Sequence, residues 1–167
     1  WRTHKPLFLL VANILKQCQQ LMLEPPYCVA KGIGSHNLLS ITATDIQQLS
    51  LPIDPSEPKR AVTVCYGFEG VLTVAILETL DGEQVALQVF DGVPDDKNKY
   101  ARWLIGQPVV MGAYYRLGDW ISPSVVLITE GIADAISCYE ATGYPVLAAI
   151  SKSQLLKAAL AVKRKYP

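Results

Sequence analysis

Two carboxylates lie four residues apart, immediately after a short apolar run. The run, Val125 to Ile128, leads through a threonine to Glu130, and Asp134 follows on the other side of Gly131. An unbroken apolar run is typical of a strand covered on both faces of a parallel α/β sheet, and such sheets bind ligands at the carboxyl ends of their strands. Because Mg²⁺ prefers carboxylate oxygens, the pattern predicts a metal site there. The alternative is a structural turn in which Asp134 only complements the helix dipole.

A basic segment precedes this acidic turn. Its cations are Lys97, Lys99, Arg102 and Arg116. Cations of this kind bind phosphate, and the aromatic residues between them could stack on bases. The alternative is an ordinary mixed-charge surface, because four aspartates flank the cations: Asp91, Asp95, Asp96 and Asp119. The formal net charge of zero excludes a broad positive field, so any contact with nucleic acid must be local.

The elements that must position these residues can be predicted from periodicity and turn signals. Residues 71–80 and 84–90 are extended patterns joined at Asp81-Gly82, which predicts a β-hairpin. A helix over 133–141 ends before Gly143, a strand covers 146–150, and a last helix follows. Ser151 or Ser153 could cap that last helix, and Thr44 could cap a short helix near residue 45. The C-terminal unit is therefore predicted as β-α-β-α.

This unit resembles the TOPRIM domain, and is most similar to TOPRIM domains in primases of phages, plasmids and other mobile elements. The resemblance depends on the motifs Glu130-Gly131, Asp134-Ala135, Ala141-Thr142-Gly143 and Ala148-Ala149. Upstream, the order of Gln88, Lys99, Gly106 and Gly112-Ala113-Tyr114 also matches that of these primases. Residues 27–32 resemble their Tyr-x-x-x-Lys-Gly segment, which closes a helix and turn.

The resemblance implies a fold and a division of the chain. The expected fold is an α+β N-terminal portion followed by a partial α/β TOPRIM layer, Rossmann-like with a parallel sheet. Its parts are a helical segment over 1–60, a β-rich portion with the hairpin and basic segment over 61–120, and the partial TOPRIM domain over 121–167. In the family a second acidic motif, Asp-x-Asp, follows a basic run and Tyr-Pro. Here that run is Lys163 to Pro167, so the remaining metal ligands are expected beyond Pro167.

The resemblance also implies a function. The expected activity is that of a DNA primase, which makes RNA primers from ribonucleoside triphosphates on single-stranded DNA with Mg²⁺ or Mn²⁺, commonly beside a helicase. Glu130 is then a metal ligand or proton shuttle, Asp134 a supporting acid, and the cations bind nucleotide or template. A chain lacking the second acidic motif is expected to be inactive by itself. A TOPRIM nuclease and a non-catalytic nucleic-acid-binding module are the alternatives.

Composition limits the remaining possibilities. The chain has 167 residues, half of them apolar, enough for one domain or two small ones with a substantial core. No apolar run approaches the roughly 20 residues that span a bilayer, so a cytoplasmic protein without membrane contact is expected. The four cysteines lack Cys-x-x-Cys spacing, which argues against a zinc site.

Overall fold

The fold combines short helices with one large sheet. A computed structural model describes residues 5–18, 23–49, 51–52, 61–97 and 99–167. Its helices are α1 (Lys5–Cys18), α2 (Pro26–Lys31), α3 (Ala43–Gln48), α4 (Pro108–Met111), α5 (Ile132–Thr142) and α6 (Leu155–Lys165), with a 3-10 turn at Lys152–Gln154. Its strands are β1 (Leu38–Thr42), β2 (Leu51–Pro52), β3 (Ala61–Val62), β4 (Val71–Thr79), β5 (Gln84–Pro94), β6 (Tyr100–Ile105), β7 (Ala113–Leu117), β8 (Leu127–Thr129) and β9 (Val146–Ala148).

Seven of the described strands form one mixed sheet. The order is β6-β5-β4-β7-β9-β8, and β1 also pairs with β4. The mixed α/β class predicted from the sequence is confirmed. The expectation of a parallel layer needs correction, because the sheet is mostly antiparallel and β8–β9 is its one parallel pair among the described residues. Parallel neighbours need a long crossover, and α5 supplies one between β8 and β9, whereas tight turns such as that from β4 to β5 give antiparallel pairs.

Helices cover both faces of the sheet. On one face, α2 and α5 pack in a single apolar cluster that includes Tyr27, Phe90, Tyr115 and Ile136. On the other face, α1 and α3 cover β4 and β5, while α6 covers β7 and β9. Side chains of a strand alternate between faces, so Gln88 lies on the same side of β5 as Phe90. The face covered by α2 and α5, which we call the front face, therefore carries a buried amide.

The predicted turns and helix ends are confirmed in part. The hairpin turns at Gly82, whose φ is +88°, and α5 ends at Gly143 in the left-handed conformation. The predicted caps were wrong. Because β1 runs directly into α3, the extended residue at the junction is Thr42, and its hydroxyl accepts the Asp45 amide at 3.1 Å. Neither the 3-10 turn nor α6 has a side-chain cap at its start.

The described elements cross the predicted divisions of the chain. β7 belongs to the predicted 61–120 portion but pairs with β9 of the 121–167 portion, and β1 of the first portion pairs with β4. The boundary expected near residue 60 lies outside the described residues, so the three-part division stays a prediction. Within the described ranges, no helix is both long and apolar enough to cross a membrane.

A polar contact joins the turn before β1 to the end of α5. The Glu140 carboxylate accepts the Gly34 amide at 2.7 Å and lies 2.9 Å from His36 Nε2. These hydrogen bonds, that of His36 first, lower the pKa of Glu140. His36 also packs edge-on against Tyr139, with ring centroids 5.4 Å apart. The contact links sequence positions more than one hundred residues apart and holds α2 and α5 on the same face.

This contact predicts a pH dependence of stability. A carboxyl group whose pKa is lower in the folded state stabilises the fold above its unfolded pKa, and that contribution is lost as the pH falls. Thermal melting of the parent chain should therefore decline as the pH falls below about 4.3, the ordinary glutamate value. Glu140→Gln, which keeps the shape but not the charge, should show a smaller decline over this range. Identical pH profiles for the two proteins would contradict the assignment.

Candidate functional site

The acidic turn forms as the sequence predicts. β8 ends at Thr129, Glu130 follows it, and α5 begins at Ile132. The Thr129 hydroxyl donates to the Gly131 carbonyl at 2.9 Å, which fixes the turn. The expectation that β8 is covered on both faces is confirmed, because Leu127 packs against the front-face cluster and Ile128 against the cluster that includes α6, although β8 is an edge strand whose residues are half-buried. Glu130 nevertheless lies at the carboxyl end of a parallel strand, where α/β sheets bind ligands.

Asp134 turns back over the start of α5. One of its carboxylate oxygens lies 3.2 Å from the point that a Cβ on Gly131 would occupy, so a larger residue at 131 would crowd it. No side chain caps the amides of the first helical turn. Uncapped amides at a helix start attract anions, whereas the two carboxylates attract cations. The same turn could therefore contact a phosphate and a metal ion bound to it.

Glu130 and Asp134 line one cavity of about 280 Å³, which we call the acidic cavity. Its wall is completed by residues of α2, β5 and β6 and by the end of β9. The lining residues are Tyr27, Lys31, Gln88, Phe90, Arg102, Glu130, Gly131, Ile132, Ala133, Asp134 and Ile150. Two cations therefore face two carboxylates. A site with both charges is suited to an anionic ligand that carries a divalent cation.

Aromatic rings support the two cations. Tyr27 stacks on Phe90 with centroids 4.3 Å apart. Lys31 Nζ lies 6.0 Å from the Tyr27 centroid, and Arg102 Cζ lies 5.9 Å from the Phe90 centroid, both near the limit for cation–π attraction. Burial raises the pKa of Tyr27, with Arg102 opposing the shift and Asp134 adding to it. Tyr27 is therefore a neutral platform, and the charge of this wall belongs to Lys31 and Arg102.

Gln88 is the buried polar group of the site. It is 7% exposed and lies in an otherwise apolar stretch of β5. Gln88 lines the acidic cavity. An amide side chain both donates and accepts hydrogen bonds, so a polar ligand in this cavity could pair with it. Gln88 is thus a candidate ligand contact.

A second cavity of about 300 Å³, which we call the adjoining cavity, shares Gln88, Arg102 and Ile150 with the first. Ile150 has φ +71°, a strained conformation for a β-branched residue. Strain of about 1–3 kcal/mol persists where the surrounding structure imposes it, and it is frequent at functional sites. Ile150 follows β9, the strand that pairs in parallel with β8. Both strands of the parallel pair thus end at the cavities.

The structure brings together some of the predicted site residues and separates others. Glu130, Asp134 and Arg102 meet in the acidic cavity. Lys99 lines a different cavity with Glu69, Asp91 and Asp95, and the amides of Lys97 and Lys99 both donate to Asp95 Oδ1.

The Arg116 side chain is held by contacts within the fold. Its Nη1 donates to the Thr79 carbonyl at 2.7 Å, and its Cζ lies 4.4 Å over the Trp120 ring. Its buried Nε has no hydrogen-bond partner among the described residues. Arg116 lines neither the acidic nor the adjoining cavity.

Sequence reasoning did not select Lys31 or Gln88 as site residues. Both have a signal in the chain: Gln88 is a lone polar residue among apolar neighbours, and Lys31 precedes the Gly32 helix stop. Each signal has an ordinary structural explanation by itself. Their role becomes visible when α2 and β5 place them beside Glu130.

Metal and thiol chemistry are limited by the available ligands. In the part of the chain that the structure describes, no group of three or more His, Cys, Asp or Glu side chains could hold a metal ion. The acidic cavity offers two carboxylates, which suits Mg²⁺ when phosphate and water complete its shell.

All four cysteines are free, and burial raises the pKa of Cys18 and Cys65 to about 12, which makes these thiols unreactive.

Comparison with protein-family models, curated proteins and solved structures found no match for this chain. The TOPRIM resemblance stays a prediction, and the site must be interpreted from its own chemistry.

The separation of Arg102 from Lys99 predicts unequal effects of their removal. Arg102→Ala should weaken binding of inorganic triphosphate with Mg²⁺ by at least about tenfold, since a charge-assisted hydrogen bond contributes about 1.5–3 kcal/mol. Lys99→Ala should change it less than about twofold, because Lys99 lies among carboxylates in another cavity. Isothermal titration at two salt concentrations measures both. Equal effects of the two substitutions would remove Arg102 from the site.

Proposed function

We propose that this chain is part of the catalytic core of a DNA primase of the phage, plasmid and mobile-element type. The observation that carries the proposal is the convergence of Glu130 and Asp134 with Arg102 in one cavity. Acidic and basic groups that line one cavity suit nucleotidyl transfer, because a metal ion and a polyphosphate must be held together.

Two further residues support the proposal. Gln88 and Lys31 belong to segments that resemble those of mobile-element primases, and both line the cavity that contains Glu130. The segments are far apart in the chain and meet through the fold. A chance similarity of short motifs would not require their residues to share a cavity.

The donor set fits the implied metal ion. Mg²⁺ is commonly bound through one or two carboxylates, with substrate phosphates and water completing its shell. Glu130 and Asp134 would hold Mg²⁺ or Mn²⁺ beside the uncapped start of α5. When bound, the ion lowers the pKa of an attacking hydroxyl and neutralises charge on the phosphates.

The chain's own residues have separate roles in the proposed reaction. A primer 3′-hydroxyl oxygen attacks the α-phosphorus of a ribonucleoside triphosphate, the bond to the β-phosphate oxygen breaks, and pyrophosphate leaves. Glu130 serves as metal ligand or accepts the hydroxyl proton, and Asp134 is its acidic partner. Arg102 and Lys31 bind phosphate oxygens and balance their charge. Single-stranded DNA is the template, a helicase is the expected partner, and the setting is cytoplasmic.

Removal of the Glu130 charge tests the proposal. In the natural protein, with any residues that its gene encodes beyond Pro167, Glu130→Gln should lower primer synthesis at least about 100-fold, the lower range for general acid–base groups. Thermal melting should stay unchanged, because Glu130 is exposed. The measurement is formation of labelled dinucleotides from template, ribonucleotides and Mg²⁺. The control is Glu83→Gln, the same change at an exposed glutamate of the hairpin turn.

Near-normal dinucleotide formation by Glu130→Gln would contradict the proposal. Glu130-dependent cleavage of DNA without synthesis would favour the TOPRIM nuclease alternative. Binding of DNA that is unaffected by either metal or Glu130 would favour a non-catalytic module.

A second prediction concerns the 167-residue chain itself. Two carboxylates neutralise the charge of a divalent cation but leave most of its coordination positions to water. The chain should therefore bind Mg²⁺ weakly and synthesise no primers. Mn²⁺ relaxation measurements should show weak binding that Glu130→Gln with Asp134→Asn removes. Tight binding that survives the double substitution, or primers made by this chain, would refute the two-carboxylate site.

A further inference from the structure

The adjoining cavity has no role in the metal chemistry assigned to Glu130 and Asp134. It lies between the end of β6, α4, the start of β7 and the 3-10 turn after β9. Its lining residues are Gln88, Arg102, Leu104, Pro108, Val109, Gly112, Ala113, Tyr114, Ala149, Ile150, Ser151 and Gln154. We propose that it binds the base and sugar of one nucleoside triphosphate whose phosphates lie in the acidic cavity. This inference rests on the proposed function and names the substrate subsite.

The walls of the adjoining cavity suit a flat heterocycle. Leu104 and Val109 are large apolar residues that remain 43% and 55% exposed, and both face this cavity. Pro108 and Ala113 add further apolar lining. Exposed apolar side chains that converge on one cavity favour a ligand with an apolar face, and every nucleobase has such a face.

Polar groups lie at two edges of this cavity. Gln88 offers a buried amide at the wall shared with the acidic cavity, and Ser151 and Gln154 offer a hydroxyl and an amide on the 3-10 turn. An amide both donates and accepts, so it can pair with the polar edge of any base or with a sugar hydroxyl.

The shared wall sets the orientation of the ligand. Arg102 lines both cavities and is the cation nearest to their junction, so it binds phosphate while the nucleoside extends away from Glu130. A volume of about 300 Å³ is at the small end of ligand cavities, which accommodates one nucleoside rather than a stacked run of bases. The occupant is therefore an incoming nucleotide, and not the template strand.

Adjacent valines on α4 provide a matched test. Val109 lines the cavity, whereas Val110 is 76% exposed and does not. The parent chain and the Val109→Asn and Val110→Asn variants are titrated with ATP and with inorganic triphosphate, each with Mg²⁺, and followed by amide chemical shifts in NMR. Gln154→Ala provides a second variant on another lining element, the 3-10 turn. Thermal melting checks that each variant folds.

The parent should bind ATP more tightly than inorganic triphosphate. Val109→Asn should weaken ATP binding about three- to tenfold, since it removes apolar contact, and leave triphosphate binding unchanged. Gln154→Ala should act in the same direction, and Val110→Asn should change neither affinity.

Equal affinity of the parent for ATP and triphosphate, absence of ATP binding, or ATP binding unaffected by both Val109→Asn and Gln154→Ala would overturn the inference. These titrations require no synthesis. If the titrations show no binding of the base, the primer assay of Glu130→Gln still tests the proposed function. If the primer assay contradicts the proposed function, nucleotide binding by the chain can still be measured.

Discussion

The pairing of β7 on both of its edges is the constraint on which the site depends. β7 is hydrogen-bonded to β4 of the hairpin on one side and to β9 of the parallel pair on the other. Two short parallel strands with one helix could not be stable alone, because they bury too little apolar area. Gly118, with φ +88°, follows β7, and a Cβ there would lie 2.9 Å from Pro145 Cα. The absence of a side chain at Gly118 permits this close approach before β9.

The charged groups of Glu130 and Arg102 meet in one cavity because of the way α5 packs on the sheet. Glu130 follows β8 and Arg102 lies on β6, strands at opposite edges of the sheet order, yet both line the acidic cavity. Ile132 in the first turn of α5 packs in the same front-face cluster as Tyr27 and Phe90, and this carries the acidic turn across the sheet. The Glu140 contact holds the other end of α5.

The cations illustrate why charge alone is a poor guide to function. Arg116 is held by a backbone carbonyl and an indole, and Lys99 lies among carboxylates, whereas Arg102 faces the acidic turn. All three were equivalent in the sequence, because a linear pattern shows neither which face of a strand a side chain takes nor what packs against it. Alternation along β6 places Arg102 and Leu104 on one face and Trp103 on the other, but the sequence cannot tell which face meets Glu130.

The sequence by itself determined the local elements: the hairpin at Asp81-Gly82, the helix that ends before Gly143, and the acidic turn at Glu130. Each depends on glycine conformation or on apolar patterning within a few residues, which short-range physics specifies. Tertiary structure decided the rest. Strand order made the sheet mostly antiparallel, and Lys31 and Gln88 joined the site through contacts between segments far apart in the chain. Such contacts depend on how the apolar faces pack together, and no local pattern encodes that packing.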